Sequence, residues 1–492
     1  MRHLGRLLAQ SGHREIGWDL ARHTVSAGCM RRLNFFDRHV VKQDGDSGEG
    51  SDVHPGIQKL KVSCVAGGDS LWLGEAQGEI RRLEETHLSP PCRAFEQKLL
   101  GLCAAKDLLF ALGTDFAPGA PAQPGIAKYK IIEASDSEPA VLNSHRVFPR
   151  GEGQASCIAA YCSGRRGLVA VGTDAALQLF RAQDIVQEKP YPVTLTLEDG
   201  AGNQEVTSIE FLEQGSRVIL FACTRKSVCS WRVWDGSNVV NQEIRLLNLD
   251  AAGGASPSCA RAFPGMNALL VAKADAIFAY DPEEGNMSAM PLDGDKVLLE
   301  RFKSYLAVVT SDTMPPFATA SSMPKQTVTV VLAQKGMRFI AFTSQFTDVT
   351  HVVSAQERVY LVSRGGADGN TVLFELREKP LEERLDVLKK KRMFEWAAEV
   401  ALTSDADPEV TAEIYKLHGD ALFEKRAYDQ ALQIYAKTVD LGLPLEPSYV
   451  VEKYLDAQRR DVSVWGPHKE RVPIFGSWHS IFELDRTREL LP

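Results

Sequence analysis

From about residue 57 to residue 377 one unit recurs along this chain, and it narrows the fold more than any other feature. An apolar strand meets a turn, then a second apolar strand often ending in small residues, another turn, and a third strand with mixed faces. Lys61–Leu83 (KVSCVAGGDSLWLGEAQGEIRRL) shows the unit first, and Leu99–Asp115 (LLGLCAAKDLLFALGTD) restarts it, with AKYKIIE at 127–133 following. It returns at 155–181, 205–234, 258–282, 296–312 (completed by TVTVVLA after an insertion) and 349–376. That makes seven units at very roughly 40–55 residues each, the period of four-stranded propeller blades.

The physical reason is burial. A single small sheet cannot cover both its faces, whereas sheets stacked around an axis cover one another and leave only short edges. The runs GLVAV, RVILFA and NALLVA are hydrophobic on both faces, as inner strands between neighbouring blades must be. The expected fold is therefore a seven-bladed, WD40-like β-propeller over residues 31–377. A strand around Leu33–Val41 is expected to close the ring by pairing into the last blade. Residues 43–56, 114–126 and 313–326, rich in Gly, Pro or Ser, read as solvated loops.

At Lys379–Pro380 the period changes to that of a helix. Leu385, Leu388, Phe394, Ala398 and Ala401 fall on one stripe, giving a first helix. A second starts at Asp407–Pro408, a side-chain cap followed by proline at the first turn, with Val410, Ile414, Leu417 and Ala421 facing inward. A third covers about 428–440, and a fourth begins near Pro447. Short amphipathic helices joined by tight turns predict the start of an α-solenoid over 378–460, of tetratricopeptide or clathrin-repeat type.

Composition sets the outer limits. The 492 residues are 44% hydrophobic and 24% charged, with a net charge of −8, which argues against nucleic acid as a main partner. No stretch of about 18 apolar residues appears, so any membrane contact is expected to be peripheral. The nine cysteines (Cys29, Cys64, Cys92, Cys103, Cys157, Cys162, Cys223, Cys229 and Cys259) are scattered without zinc-knuckle spacing and read as buried, reduced thiols. Residues 1–30 read as a doubtful extension: Arg2, Arg6, Arg14 and Arg22 resemble a transit peptide, or the true start is Met30.

Catalytic patterns are missing. There is no phosphate-binding G-x-x-x-x-G-K-[ST] loop, no H-E-x-x-H and no G-x-S-x-G. Gly151–Gly153 lacks the third glycine of a dinucleotide fingerprint, and the loop from Asp44 has Pro55 where a calcium loop needs an acid. Asn286-Met287-Ser288 matches a glycosylation triplet by chance, and the single Trp234–Asp235 pair does not define a propeller type. The basic run Leu388–Arg392 reads as an exposed helix face. No catalytic, cofactor-binding or metal-binding residue is assigned, and no cofactor is expected. An enzyme on this fold would need ionisable groups converging on the axis, where apolar and small residues are expected instead.

GDALFEKRAYDQALQIYAKTV (419–439) followed by LEPSYVVEKYLDAQR (445–459) resembles the vacuolar protein sorting-associated protein 11 family. RRLNFFDRHVVK (31–42) resembles the family's opening, and RFKSYLAVVTSD (301–312) and RFIAFTSQFTDV (338–349) fit more loosely. The resemblance implies a non-catalytic core subunit of the HOPS and CORVET tethering complexes, acting in vesicle-mediated transport to endosomes and the vacuole or lysosome. It implies other class C vacuolar sorting subunits as partners, Rab GTPases and SNAREs directly or through them, and a cytoplasmic, peripherally membrane-bound location. The family also carries a C-terminal RING domain, but no cysteine follows Cys259, and residues 461–492 depart from the family's helices with Gly466, Pro467, Pro473 and Gly476. That tail is expected to be a truncated splice form or a gene-model artefact, with a genuine short protein as the remaining alternative, and the short chain is expected to be impaired in assembly. Two other readings stay open: a coat or ciliary-transport scaffold of the same build, and a propeller enzyme.

Overall fold

A computed structural model describes residues 30–462 apart from 43–53, 106–107, 116–127, 136–140, 147–154, 164–165, 174–175, 182–192, 198–204, 235–246, 251–252, 312–324, 334–337, 366–368, 405 and 444. The expectations for residues 1–29, for most of the three long loops, and for the tail after Val462 lie outside the described residues. The chain divides between Glu378 and Lys379 into two compact units.

The first unit is a β-propeller. Its described strands form seven sheets. Apart from the amino-terminal strands, the strand nearest the axis in each is the first in sequence: Val62–Gly67, Lys98–Ala105, Ala155–Ser163, Val206–Gln214, Ala260–Phe263, Asp295–Phe302 and Val349–Ala355 are the innermost strands of the first to seventh sheets. These innermost strands touch in succession, and the last touches the first, so the ring is closed.

The wholly apolar runs are the second strands, one step out from the axis. Arg217–Thr224 is buried at every position after its first, and Ala268–Ala272 at every position. A second strand is flanked by strands on both edges and by neighbouring sheets on both faces, so no side of it meets water. Hydrophobic clusters fill the gaps between sheets. Leu168, Leu177, Val218 and Trp231 lie between the third and fourth, and Val62, Leu73, Tyr360 and Leu373 between the first and seventh.

The amino-terminal strand closes the ring, as its sequence predicts. Phe36–Val40 pairs antiparallel with Asn370–Glu378 as the outer strand of the seventh sheet, in the register Phe36↔Glu378. The two residues before it do something the sequence does not announce. Arg31–Arg32 adds a short parallel strand to Phe339–Thr347 at the edge of the sixth sheet. One segment therefore stitches two sheets together, with Leu33, Phe35 and Phe36 all buried. Phe36 meets Phe302 and Tyr305 edge to face at 5.9 and 5.1 Å. The Arg38 guanidinium lies 4.1 Å from the ring centre of Phe346 and 4.3 Å from that of Phe374, a cation between two aromatic faces.

The described residues of the second unit form five helices, α1 (Leu381–Lys390), α2 (Phe394–Thr403), α3 (Pro408–Glu424), α4 (Tyr428–Asp440) and α5 (Pro447–Val462). The single first helix expected from the stripe of Leu385 to Ala401 is two helices. Arg392 takes a left-handed conformation (φ 57°), and Met393 N–H bonds back to Leu388 O, ending α1 with no glycine or proline to mark it. Lys389 and Arg392 of the basic run pair with Glu413 and Glu424. Asp407 caps α3 by accepting from Glu409 N–H at 3.1 Å. On α3, Ile414 and Ala421 are buried as expected, whereas Val410 and Leu417 are only partly so, and Thr411, Ala412, Tyr415 and Gly419 complete the inner face.

Gly419 fixes the α3–α4 contact. A Cβ there would sit 2.3 Å from a ring carbon of Tyr435, whose hydroxyl donates to Asp420 at 2.6 Å and so cannot swing aside freely. Gly419→Ala gains about 1 kcal/mol of helix propensity. The clash outweighs it, and a net loss of about 2 kcal/mol is expected. Chemical denaturation followed by helix circular dichroism checks this; a more stable variant would show that the helices can part without cost.

Candidate functional site

The seven innermost strands surround an axial channel of about 950 Å³. In six of them the pairing with the second strand slips by one residue near the start, at Val62/Cys64, Leu99/Gly101, Ala155/Cys157, Val206/Ser208, Lys296/Leu298 and Val349/His351. Each slip is a β-bulge, which bends the strand and re-aims one side chain.

Groups at the start of the innermost strands tie neighbouring sheets together. Ser156 Oγ donates to Val206 O at 2.7 Å and Thr207 Oγ1 to Ala255 O at 2.8 Å. Cys259 Sγ reaches Val297 O at 3.3 Å, and His351 Nε2 lies 3.0 Å from Ser63 O. The last of these spans the seam between the seventh sheet and the first. Sequence reading had no way to find this belt, because its members are of four chemical types and share only their place in the repeat.

His351 is half-buried, and burial holds its pKa below 6.5; the bond to Ser63 opposes that shift and Arg364 adds to it. The folded state then binds fewer protons than the unfolded chain, so stability is lost as the pH falls through about 6.5. Wild type is expected to lose denaturant resistance between about pH 7.5 and about pH 5.5 more steeply than His351→Gln. Parallel pH profiles for the two proteins would remove His351 from the account.

The channel wall carries charge where apolar and small residues were expected. Arg261 Nε donates to Glu300 Oε2 at 2.8 Å, and Arg261 Nη1 to Glu210 Oε1 at 3.2 Å. The remaining carboxylate oxygens accept backbone amides of the next sheet: Glu210 Oε2 from Ala262 N–H and Glu300 Oε1 from Ser354 N–H, both at 3.3 Å. The correction has a geometric cause. The innermost strand has a neighbouring strand on one edge only, and its channel-facing positions meet solvent, so they tolerate charge that the second strand cannot.

Three ionisable groups converging on an axis are what a propeller enzyme would need, but their partners define them as a clamp. Burial would lower the Arg261 pKa, yet Glu300 and Glu210 outweigh it and hold the guanidinium charged. Burial raises the Glu210 pKa and Arg261 opposes that. All four oxygens of these two carboxylates are engaged in holding neighbouring sheets together. The clamp links the innermost strands of the fourth, fifth, sixth and seventh sheets.

The thiols on this wall are quiet. Burial pushes Cys64 and Cys157 up to about 12, against hydrogen bonds from Ser63 and Ser156. Burial likewise raises Cys103, and also Cys223 one strand further out. Among the described residues no group of three or more His, Cys, Asp or Glu could hold a metal ion, and no helix is long and apolar enough to cross a membrane.

What the ring offers is a rigid frame, and comparison with known proteins says whose. The PEP5/VPS11 N-terminal family description matches residues 31–378, the propeller from its closing strand to its last. The chain belongs to the PEP5/VPS11 family. It is 26% identical over 450 residues to the mouse vacuolar protein sorting-associated protein 11 homolog, covering 87% of this chain and 45% of that protein. The human homolog is 27% identical over 451 residues, with the same coverage. The Caenorhabditis elegans homolog is 27% identical over 444 residues, covering 87% and 43%. The chain thus spans less than half the length of these relatives, while membership makes it a vacuolar sorting family member.

Proposed function

We propose that this chain is a non-catalytic scaffold of the HOPS and CORVET type, bringing endosomal and vacuolar or lysosomal membranes together before fusion. The observation that carries the reading is the family match along the whole propeller. The engaged carboxylates and raised thiols of the channel support a structural role for that frame. Each of the seven sheets is taken as one blade, and α1–α5 as the start of a solenoid. Both kinds of surface present large, fixed areas for protein partners.

The partners proposed are other class C vacuolar sorting subunits, with Rab GTPases and SNAREs reached directly or through them. Binding at the cytoplasmic face of late endosomes and the vacuole or lysosome would be peripheral. Affinity purification of the chain from cells, with the co-purifying subunits identified, tests the proposal. Class C subunits at comparable stoichiometry, with endosomal or vacuolar localisation, are the expected result. Coat or ciliary-transport subunits in their place would replace the reading with another scaffold.

A further inference from the structure

Among the described residues three large apolar side chains stand exposed, Leu402, Val439 and Leu455, at 54%, 39% and 48%. Leu402 is isolated, with buried Ala398 and charged Glu399 one turn before it. Val439 on α4 and Leu455 on α5 belong to stripes. Leu432 and Ala436, both partly exposed, lead at helical spacing to Val439, and Val451, also partly exposed, lies one turn before Leu455.

The two stripes share a side. Tyr449 and Lys453 of α5 both bond to Asp420 on α3, Tyr449 OH donating at 2.8 Å. Val451 and Leu455 each follow two residues later, about 200° round the helix, and so face away from α3. On α4, Lys437 leans toward α3, its Nζ 5.6 Å from the ring centre of Tyr415, and Val439 again follows by two residues. Tyr454 OH donates to Tyr428 O, and the Tyr435 and Tyr449 rings meet at 6.4 Å, so α4 and α5 run antiparallel. Leu455 is therefore level with the start of α4 and Val439 with its end. The stripes border one groove about 16 Å long.

The rim of that groove is acidic. Asp429 and Asp440 border the α4 stripe, Glu452 and Asp456 border the α5 stripe, and all four are exposed. A second copy of this face would set acid against acid, and an anionic membrane would be repelled. A basic helix meets both the apolar floor and the charged rim.

We propose that this groove takes an amphipathic helix of a partner protein, with an apolar stripe flanked by lysine or arginine. Apolar residues at i, i+3, i+4 and i+7, over about 11 residues, match the groove's length. The apolar contact supplies most of the affinity, and the rim selects the sign of the partner's charge.

Fluorescence anisotropy with the full chain tests this, using a labelled model helix of about 14 residues with leucines at that spacing and lysine flanks. The same helix with glutamate flanks is the comparison. Only the lysine helix is expected to bind. Val439→Gln with Leu455→Gln should weaken it at least tenfold without changing the charge, while an unchanged melting curve shows that the helices are intact. Asp440→Lys with Glu452→Lys should weaken the lysine helix and admit the glutamate one. Equal binding of the two helices, or undiminished binding by the glutamine variant, would overturn the proposal. No binding of the lysine helix would overturn it too; a photo-crosslinker on Leu455→Cys would then assign the groove to residues 463–492 of the same chain or to a second copy.

Discussion

Replacing Arg261 by methionine is expected to lower the stability of the propeller by about 3 kcal/mol. Arg261, Glu210 and Glu300 are 24%, 21% and 14% exposed, so water screens the two carboxylates poorly once the guanidinium between them is gone. The loss is expected at neutral pH and should shrink in acid, where protonation relieves the carboxylates. Changing all three residues together (Glu210→Gln, Arg261→Met, Glu300→Gln) should recover most of it, because a neutral group of similar volume leaves no buried charge unpaired. Guanidinium denaturation of the single and triple variants measures this. A single variant as stable as wild type would mean that the clamp is ornamental. A functional role for the channel charge would show instead as lost partner binding without lost stability.

Phe36→Ala is expected to cost about 4 kcal/mol. The ring is 1% exposed and fills the seam between the sixth and seventh sheets, against Phe302 and Tyr305. The cavity would open at the point where the ring is shut, so backbone hydrogen exchange should rise first in Phe36–Val40 and its partner Asn370–Glu378. Phe36→Leu, which keeps most of the volume, should retain most of the stability. A loss under about 1 kcal/mol would show that closure rests on the backbone ladder alone.

The sequence made the propeller legible because its second strands are apolar throughout, and that pattern needs no long-range knowledge to see. The α3 cap and the bounds of α4 were equally readable, since Asp407–Pro408 and Tyr428–Asp440 carry local signals. The break between α1 and α2 was hidden, because it turns on one left-handed residue of an ordinary type, Arg392. The channel charge was hidden for a different reason. Glu210, Arg261 and Glu300 are about 40 to 50 residues apart in sequence and look like solvent-facing positions of three separate strands. Only the ring places them side by side. The same holds for His351 and Ser63, which meet across nearly the whole length of the propeller.

The pairing of Phe36–Val40 with Asn370–Glu378 also sets a schedule for the newborn chain. Of the propeller's strands, the one that shuts the ring is made early and its partner strand last. During all of the synthesis between, Phe36–Val40 has no partner strand, and six sheets can stack without a seal. Phe36 is therefore among the core residues exposed longest, which makes it a target for chaperones while translation proceeds. Helix α1 begins only three residues after the last closing strand ends, so the ring becomes completable just as the helical unit starts to emerge.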